Sequence, residues 1–250
     1  MQWGGRWKPL QYSIKRGFEP VYVVVYALTQ TQAGVDSSES DKVYIYAVND
    51  KWSDETVDLQ VDFVDIHTGV AVSVYTHEQF LISESSSVYV VTLSVSDMLS
   101  KVPMCSRETC YVRATTLFPS TSSTSKSMLF LTEMKHMSLP SHPLVQISGV
   151  KVISPQEIQF SVSVNGTSPF MFFEMLDDAR RVDANDDTGV FGNNAGWFSD
   201  NNFVAESGLV YDIIYTSFKA QVDVISFKRR IQARVLQHAY DCDLDLALHD

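Results

Sequence analysis

The stretch TVDLQVDFVDI at residues 56–66 alternates apolar and polar side chains. Its apolar positions are Val57, Leu59, Val61 and Phe63, and Asp58, Gln60 and Asp62 lie between them. A period of two places alternate side chains on opposite faces of a strand, so this stretch predicts a β-strand with one buried face. The turn signal at His67-Thr68-Gly69 follows at once and leads into a second β-rich run, VAVSVY. The pattern therefore favours an antiparallel sheet.

Similar runs extend in both directions from this strand. About seven short runs rich in Val, Ile, Tyr and Phe occupy positions 20–135, at the spacing that antiparallel sandwiches show. The segment SLPSHP, residues 138–143, has two prolines and marks a boundary. A second β-rich series follows, in which VDVISFKRRIQA at residues 222–233 is taken as the last strand. We therefore expect a mainly β chain with two immunoglobulin-like antiparallel β-sandwiches, at residues 20–138 and 144–250.

Residues 1–19 have a helical period instead. An apolar stripe at spacings of four, three and four is formed by Trp3, Trp7, Leu10 and Ile14. Lys15 and Arg16 suit the last turn of a helix, where cations interact favourably with the helix dipole, and Gly17 is a plausible stop. Pro9 is tolerated only in or near the first turn. The sequence thus predicts one amphipathic helix before an all-β region.

The overall composition excludes several classes of protein. The chain has 250 residues, 45% of them hydrophobic, with a formal net charge of −11, which argues against a nucleic-acid partner. No apolar run approaches the roughly 20 residues that span a bilayer, so no membrane partner is expected. No signal peptide is visible, which taken literally indicates the cytoplasm. The nearby pair Cys105 and Cys110 and the sequon at Asn165 instead suggest a secretory-pathway protein whose N-terminal part is absent from this sequence.

Four kinds of functional site find weak support in the sequence. Asp183, Asn185 and Asp187, in an acidic insertion at residues 177–196, have the spacing that opens a calcium loop, but Thr188 stands where that loop needs glycine and Asn194 where it needs glutamate. A solvated surface loop is the simpler interpretation. No G-x-S-x-G elbow supports a Ser/His/Asp triad, and the cysteine pair lacks further zinc ligands at the usual spacing. Aromatic residues, 12% of the chain, could stack on sugars, but most alternate with polar residues as core positions do.

The most specific signal is a resemblance carried by three ordered motifs. GGRWKPLQYSIKRGFEPVYV at residues 4–23 resembles the last barrel helix of lysosomal-type β-mannosidases of glycoside hydrolase family 2, with matches at Gly4, Gly5, Trp7, Lys8, Leu10, Tyr12, Phe18 and Pro20. CSRETCYV at residues 105–112 and PFMFFEML followed by GWFSDNNF are similar to later segments of that family, the last with matches at Phe198, Ser199, Asp200, Asn201 and Phe203. Pro9 departs from the pattern, the acidic insertion is longer here, and no likeness extends beyond about Arg234.

The resemblance implies that residues 1–19 are the last helix of a (β/α)8 catalytic barrel, whose stripe would pack on that barrel. It implies a retaining exoglycosidase that releases terminal β-linked mannose, with its two catalytic carboxylates at barrel strand ends. No residue of this chain matches either carboxylate, so we expect no catalytic residue, no metal and no cofactor here. The partners implied are the catalytic barrel, through Trp3, Trp7, Leu10 and Ile14, and a mannose-terminated oligosaccharide in the full-length enzyme.

The resemblance also implies a lysosomal location and, together with the inferred oxidising compartment, a disulfide between Cys105 and Cys110. The Asn-Gly dipeptide of the sequon predicts that Asn165 lies exposed at a turn and carries a glycan in the secretory pathway. Cys242 has no obvious partner and is expected to keep a free thiol. Two reduced cysteines near a strand start remain the alternative to the disulfide. The competing class for the whole chain is a stand-alone β-sandwich that binds carbohydrate or another protein. An exposed apolar helix distinguishes the two, because a free module has no use for one.

Overall fold

The computed structural model describes residues 9–28, 41–119, 123–176, 196–218 and 221–239. The chain divides into two compact units. The first unit is Gly17–Ser138, and the second unit combines Met1–Arg16 with Leu139–Asp250. Helix α1, Pro9–Gly17, thus belongs to the second unit except for its last residue. The roles that the sequence assigns to residues 1–19, 20–138 and 144–250 stay predictions.

In the part of the first unit that the structure describes, the strands form two antiparallel sheets. One has three strands in the order β1-β2-β5, and the other has four in the order β4-β3-β6-β7. The strands are β1 Val21–Ala27, β2 Lys42–Asn49, β3 Glu55–Asp65, β4 Ala71–Ile82, β5 Ser86–Ser94, β6 Cys110–Phe118 and β7 Ser123–Phe130. A short helix, α2 at Val95–Lys101, follows β5. The mainly β prediction is confirmed.

The core of the first unit lies where the sequence places it. Val57, Leu59, Val61 and Phe63 of β3 are all almost fully buried, together with alternate residues of β1 and β2. The polar face of β3 is less simple than its pattern suggests, because Asp62 is only 2% exposed. Its carboxylate accepts hydrogen bonds from Arg113 on β6 at 2.6 Å and from Gln60 at 2.6 Å. A buried carboxylate needs such partners to offset its desolvation.

The described residues of the second unit also form two antiparallel sheets. Their strand orders are β11-β13-β9-β8 and β12-β10-β14. The strands are β8 Val145–Ser154, β9 Glu157–Val164, β10 Ser168–Met175, β11 Gly196–Phe198, β12 Phe203–Ala205, β13 Val210–Ser217 and β14 Ile231–Arg234. Aromatic side chains dominate its core. Phe160 contacts Phe173, Phe198 and Phe227 with ring centroids 5.3–6.3 Å apart.

Three elements differ from the sequence-based expectation. The single strand predicted at residues 222–233 is wrong, since helix α3, Val224–Arg230, precedes β14 there. Asp223 caps α3 by accepting a hydrogen bond from Ser226 N at 2.8 Å, and the basic residues of its last turn suit the helix dipole. Helix α2, capped by Ser94, and the three-residue strand β11 were not predicted.

Candidate interaction site: helix α1 and the anchoring turn

Helix α1 presents two different faces. Tyr12 is 2% exposed, whereas Leu10 and Ile14 are 65% and 45% exposed. Pro9 is the first residue of α1 that the structure describes. Trp3 and Trp7, which would extend the apolar stripe, lie outside the described residues. Tyr12 alone therefore identifies the face that packs on the second unit.

Tyr12 packs on residues 198–202, which comprise the last residue of β11 and the turn that leads to β12 and which we call the anchoring turn. This turn is fixed to β10 by Asn201, whose side chain is almost fully buried. Asn201 Oδ1 accepts a hydrogen bond from Phe173 N at 2.7 Å, and its Nδ2 donates to Phe173 O at 2.9 Å. The amide thus pairs with a strand residue as another strand's backbone would. Asn202, with φ of 55°, has the left-handed conformation that asparagine tolerates.

The tyrosine hydroxyl completes the hydrogen bonding of this turn. Phe198 N donates to Tyr12 Oη at 3.2 Å. The pKa of Tyr12 lies above its ordinary value, chiefly because burial disfavours the phenolate. Hydrogen bonds from Phe198 and Asn201 offset part of that increase, and the charge of Asp200 adds to it. The phenol therefore stays neutral near pH 7 and serves as a structural hydrogen-bonding group.

Two basic residues of the last helical turn tie α1 to the same anchoring turn. Arg16 donates to Asp200 Oδ1 at 2.6 Å, to Asn201 O at 3.2 Å and to Asn202 O at 2.7 Å. Lys15 Nζ donates to Ser199 O at 2.8 Å. Its ammonium group also lies 5.7 Å from the ring centroid of Trp197, within cation–π range.

These contacts join segments about 185 residues apart in sequence. They combine one buried aromatic ring with several charge-assisted hydrogen bonds to backbone carbonyls, which are stronger than neutral ones. The helix is thereby held on the second unit while Leu10 and Ile14 remain exposed. The arrangement leaves this apolar face of α1 available for a further contact.

The structure joins Cys105 and Cys110 by a disulfide with Cα atoms 5.4 Å apart. Within the loop they close, Arg107 donates to Asp41 Oδ1 at 2.7 Å. Burial acts to raise the pKa of Asp41, but hydrogen bonds from Ser96 and Ser94 and the charge of Arg107 together hold it below its ordinary value. The loop is therefore fixed both covalently and by an ion pair.

Opening this disulfide should lower the free energy of unfolding of the first unit by about 2 kcal/mol, because a closed six-residue loop restricts the unfolded chain. Urea unfolding of Cys105→Ala against the parent protein measures the loss. Cys242→Ala, at the cysteine predicted to be free, is the matched control and should unfold like the parent protein. Two thiols that alkylate without reduction in secreted protein would contradict the pairing.

The other predicted site residues are placed as follows. Asn165 is exposed in the turn between β9 and β10. The candidate calcium residues Asp183, Asn185 and Asp187, and Cys242, lie outside the described residues. Among the described residues, no group of three or more His, Cys, Asp or Glu side chains could hold a metal ion.

Three carboxylates of the described chain have a pKa below the ordinary value. A glycosidase general acid needs a raised pKa. The pKa of Glu108 is lowered, first by a hydrogen bond from Ser106, and that of Glu133 is lowered, first by a hydrogen bond from Lys135. Asp41 shifts in the same direction. These three carboxylates of the described chain are therefore ionised at neutral pH.

Sequence reasoning found the residues of the anchoring turn only as part of a family resemblance and assigned them no role. The sequence does contain a signal for a turn here. Asp200 and Asn201 stand between two phenylalanines, so polar side chains follow a short apolar strand. Asp and Asn commonly bond to nearby backbone in turns. Nothing in the sequence indicated that Tyr12 and Arg16 contact them.

Comparisons with known proteins agree with this architecture. Residues 41–136 match the family model of the mannosidase Ig/CBM-like domain. A segment of 115 residues is 28% identical to the β-mannosidase of Capra hircus and 27% identical to that of Bos taurus, covering 45% of this chain and 12% of each relative. The resemblance to β-mannosidases is confirmed, and residues 41–136 are a β-mannosidase-like Ig/CBM domain.

Solved structures show the same fold over most of the chain. The β-D-mannosidase of Dictyoglomus thermophilum matches with a TM-score of 0.65 at 13% identity, covering 92% of this chain and 23% of that one. The exo-chitosanase of Amycolatopsis orientalis matches with a TM-score of 0.52 at 11% identity, covering 90% and 26%. This chain therefore spans about a quarter of either structure. Within the described ranges, no helix is both long and apolar enough to cross a membrane.

Proposed function

We propose that this chain is a C-terminal accessory region that supports the (β/α)8 catalytic domain of a lysosomal β-mannosidase. Such an enzyme hydrolyses terminal β-linked mannose from oligosaccharides and glycoproteins with retention of configuration. The observation that carries the proposal is the two-faced helix α1. Its Tyr12 face is held on the second unit, and its Leu10 and Ile14 face remains exposed.

The energetics of the exposed face support a domain contact. A leucine and an isoleucine exposed one helical turn apart are unfavourable in water, and burying each would contribute about 1.5–3 kcal/mol. The opposite face is fixed by hydrogen bonds from Lys15 and Arg16 to carbonyls of the anchoring turn. A contact made by the exposed face would therefore be transmitted rigidly to the second unit. In this proposal the chain positions the catalytic domain and contributes no reacting group.

The test is to tag the chain at its C terminus in its own organism and to purify it under native conditions. We expect hydrolysis of a chromogenic β-mannoside to co-purify with the tag, whether the catalytic domain is on the same polypeptide or on another. A tagged product recovered intact, with no more β-mannosidase activity than an untagged extract, would contradict the proposal.

Assayed alone after recombinant expression, the 250-residue chain should give no turnover of a chromogenic β-mannoside above background. The physical reason is that a retaining glycosidase needs two carboxyl groups about 5–5.5 Å apart, with one pKa raised, and no residue here matches either. Turnover that survives purification and falls when a carboxylate of this chain is replaced would contradict the prediction. Heat-denatured protein from the same preparation is the control.

A stand-alone carbohydrate-binding module is the second candidate, and one surface favours it. Tyr26, Tyr44, Tyr46 and Tyr89 form a chain of rings on β1, β2 and β5 with centroids 5.3–6.0 Å apart. Tyr26 is 38% exposed and Tyr89 51% exposed, so rings are available to stack on sugars. Calorimetry with a β-linked mannotetraose distinguishes the candidates: binding that Tyr89→Ala abolishes favours the module, and no binding favours the accessory region.

A further inference from the structure

Asn165 begins the sequence Asn-Gly-Thr, the only Asn-X-Ser/Thr sequon in the chain. Leu144 N donates to Asn165 Oδ1 at 2.7 Å. Because a backbone N–H can only donate, this bond identifies the oxygen and leaves Nδ2, the atom that N-glycosylation uses, as the other end of the amide. Nδ2 has no hydrogen-bond partner among the described residues, and the side chain is exposed. A sugar on this nitrogen would interrupt no ladder bond, since Asn165 lies outside both strands.

The other two residues of the sequon are buried in the second unit. Thr167 is fully buried. Its hydroxyl oxygen accepts from Ser207 N at 3.4 Å, and its carbonyl accepts from Gln237 Nε2 at 3.1 Å. Gly166 is packed so closely that a Cβ atom there would lie 2.8 Å from Pro140. The folded unit thus exposes the amide of Asn165 and hides the hydroxyl two residues later.

The folded unit can therefore carry a glycan on Asn165, but the attachment of that glycan has a further requirement. An enzyme that modifies Asn-X-Ser/Thr must contact both the asparagine amide and the hydroxyl, because both define the acceptor. In the folded unit only the amide is accessible. We propose that Asn165 is an N-glycosylation site that is modified before the second unit folds, after which the unit keeps the glycan at its surface.

The transfer needs a lipid-diphosphate-linked oligosaccharide as the donor. Asn165 Nδ2 forms a bond to C1 of the reducing-end N-acetylhexosamine while the bond from C1 to the diphosphate oxygen breaks. The amide nitrogen gives up one proton to a base of the transferase, and the lipid diphosphate leaves. No oxidant or reductant is required. The proposal does not depend on a β-mannosidase function, only on entry into a compartment that holds this donor.

The first experiment expresses the full chain behind a cleavable secretion signal in eukaryotic cells, with Asn165→Gln as the matched variant. We expect the parent protein to carry one glycan, removed by a peptide N-glycosidase, and the variant to have the unglycosylated mass. Equal masses for the two secreted proteins would overturn the site.

The second experiment tests the timing with microsomal transferase and a lipid-linked donor. The acceptors are the full chain from bacteria, folded and unglycosylated, and a peptide of residues 160–172. We expect the peptide to be modified at least tenfold faster than the folded chain. Equal rates would overturn the proposal that modification precedes folding, even if the first experiment confirms the site.

Discussion

Asn201→Ala should lower the free energy of unfolding of the second unit by about 3 kcal/mol, because it leaves two buried backbone groups of Phe173 without partners. Phe173 is almost fully buried, so water cannot replace the hydrogen bonds that its backbone N–H and C=O groups lose. Urea unfolding measures the loss of stability, and the hydrogen exchange of peptides from β10 shows that the loss lies in the second unit. We expect the midpoint to fall and β10 amides to exchange faster, with the first unit unaffected.

The matched control for this prediction is Asn165→Ala in unglycosylated protein. Asn165 is an asparagine of the same unit, but its side chain is exposed and accepts one hydrogen bond from Leu144. Its loss should cost no more than about 1 kcal/mol. Equal destabilisation by the two substitutions would show that Asn201 has no special role in fixing the anchoring turn.

Tyr12→Ala should release helix α1 from the second unit. Truncating a buried aromatic ring costs about 3–5 kcal/mol, and this ring also accepts the hydrogen bond from Phe198. A loss of 3 kcal/mol is more than a hundredfold in an opening equilibrium. Hydrogen exchange of a peptide covering residues 9–17 should accelerate by at least that factor.

Two further substitutions make this result specific. Tyr12→Phe keeps the ring and removes the acceptor for Phe198 N, so exchange in α1 should accelerate only about fivefold to tenfold. Tyr89→Ala removes a half-exposed tyrosine of the first unit and should leave the helix unchanged. Helix exchange that is insensitive to Tyr12→Ala would show that the helix is not held through this face.

The sequence predicted the elements whose side chains alternate between core and solvent. The apolar positions of β3 are buried as its pattern predicts, because that face packs against the other sheet of its unit, although residues 61–65 are buried on both faces. The error at residues 222–233 has a physical cause: β-branched residues favoured a strand, but the Asp223 cap and three consecutive basic residues stabilise a helical turn before β14. For so short a segment, the propensities for helix and for strand differ little, so the Asp223 cap determines that the segment is helical.

The candidate site was less predictable than the fold. Two of the three motifs that carry the family resemblance, at residues 4–23 and 196–203, lie far apart in the sequence, and no periodicity connects them. In the structure they meet, since Tyr12 and Arg16 of one contact Phe198 and Asp200 of the other. Contacts over such a separation depend on the whole second unit being folded. In this chain, residues of both motifs therefore form one contact surface between α1 and the anchoring turn.

The exposed face of α1 offers the most direct test of the account. In the tagged native protein, Leu10→Asp is compared with Ile225→Asp, which replaces a side chain equally exposed, 66% against 65%, on helix α3 of the same unit. The measured quantity is the β-mannosidase activity that co-purifies with equal amounts of tagged chain. The account predicts at least a tenfold loss for Leu10→Asp, no loss for Ile225→Asp, and parent-like unfolding of both. Activity retained equally by the two variants would contradict it.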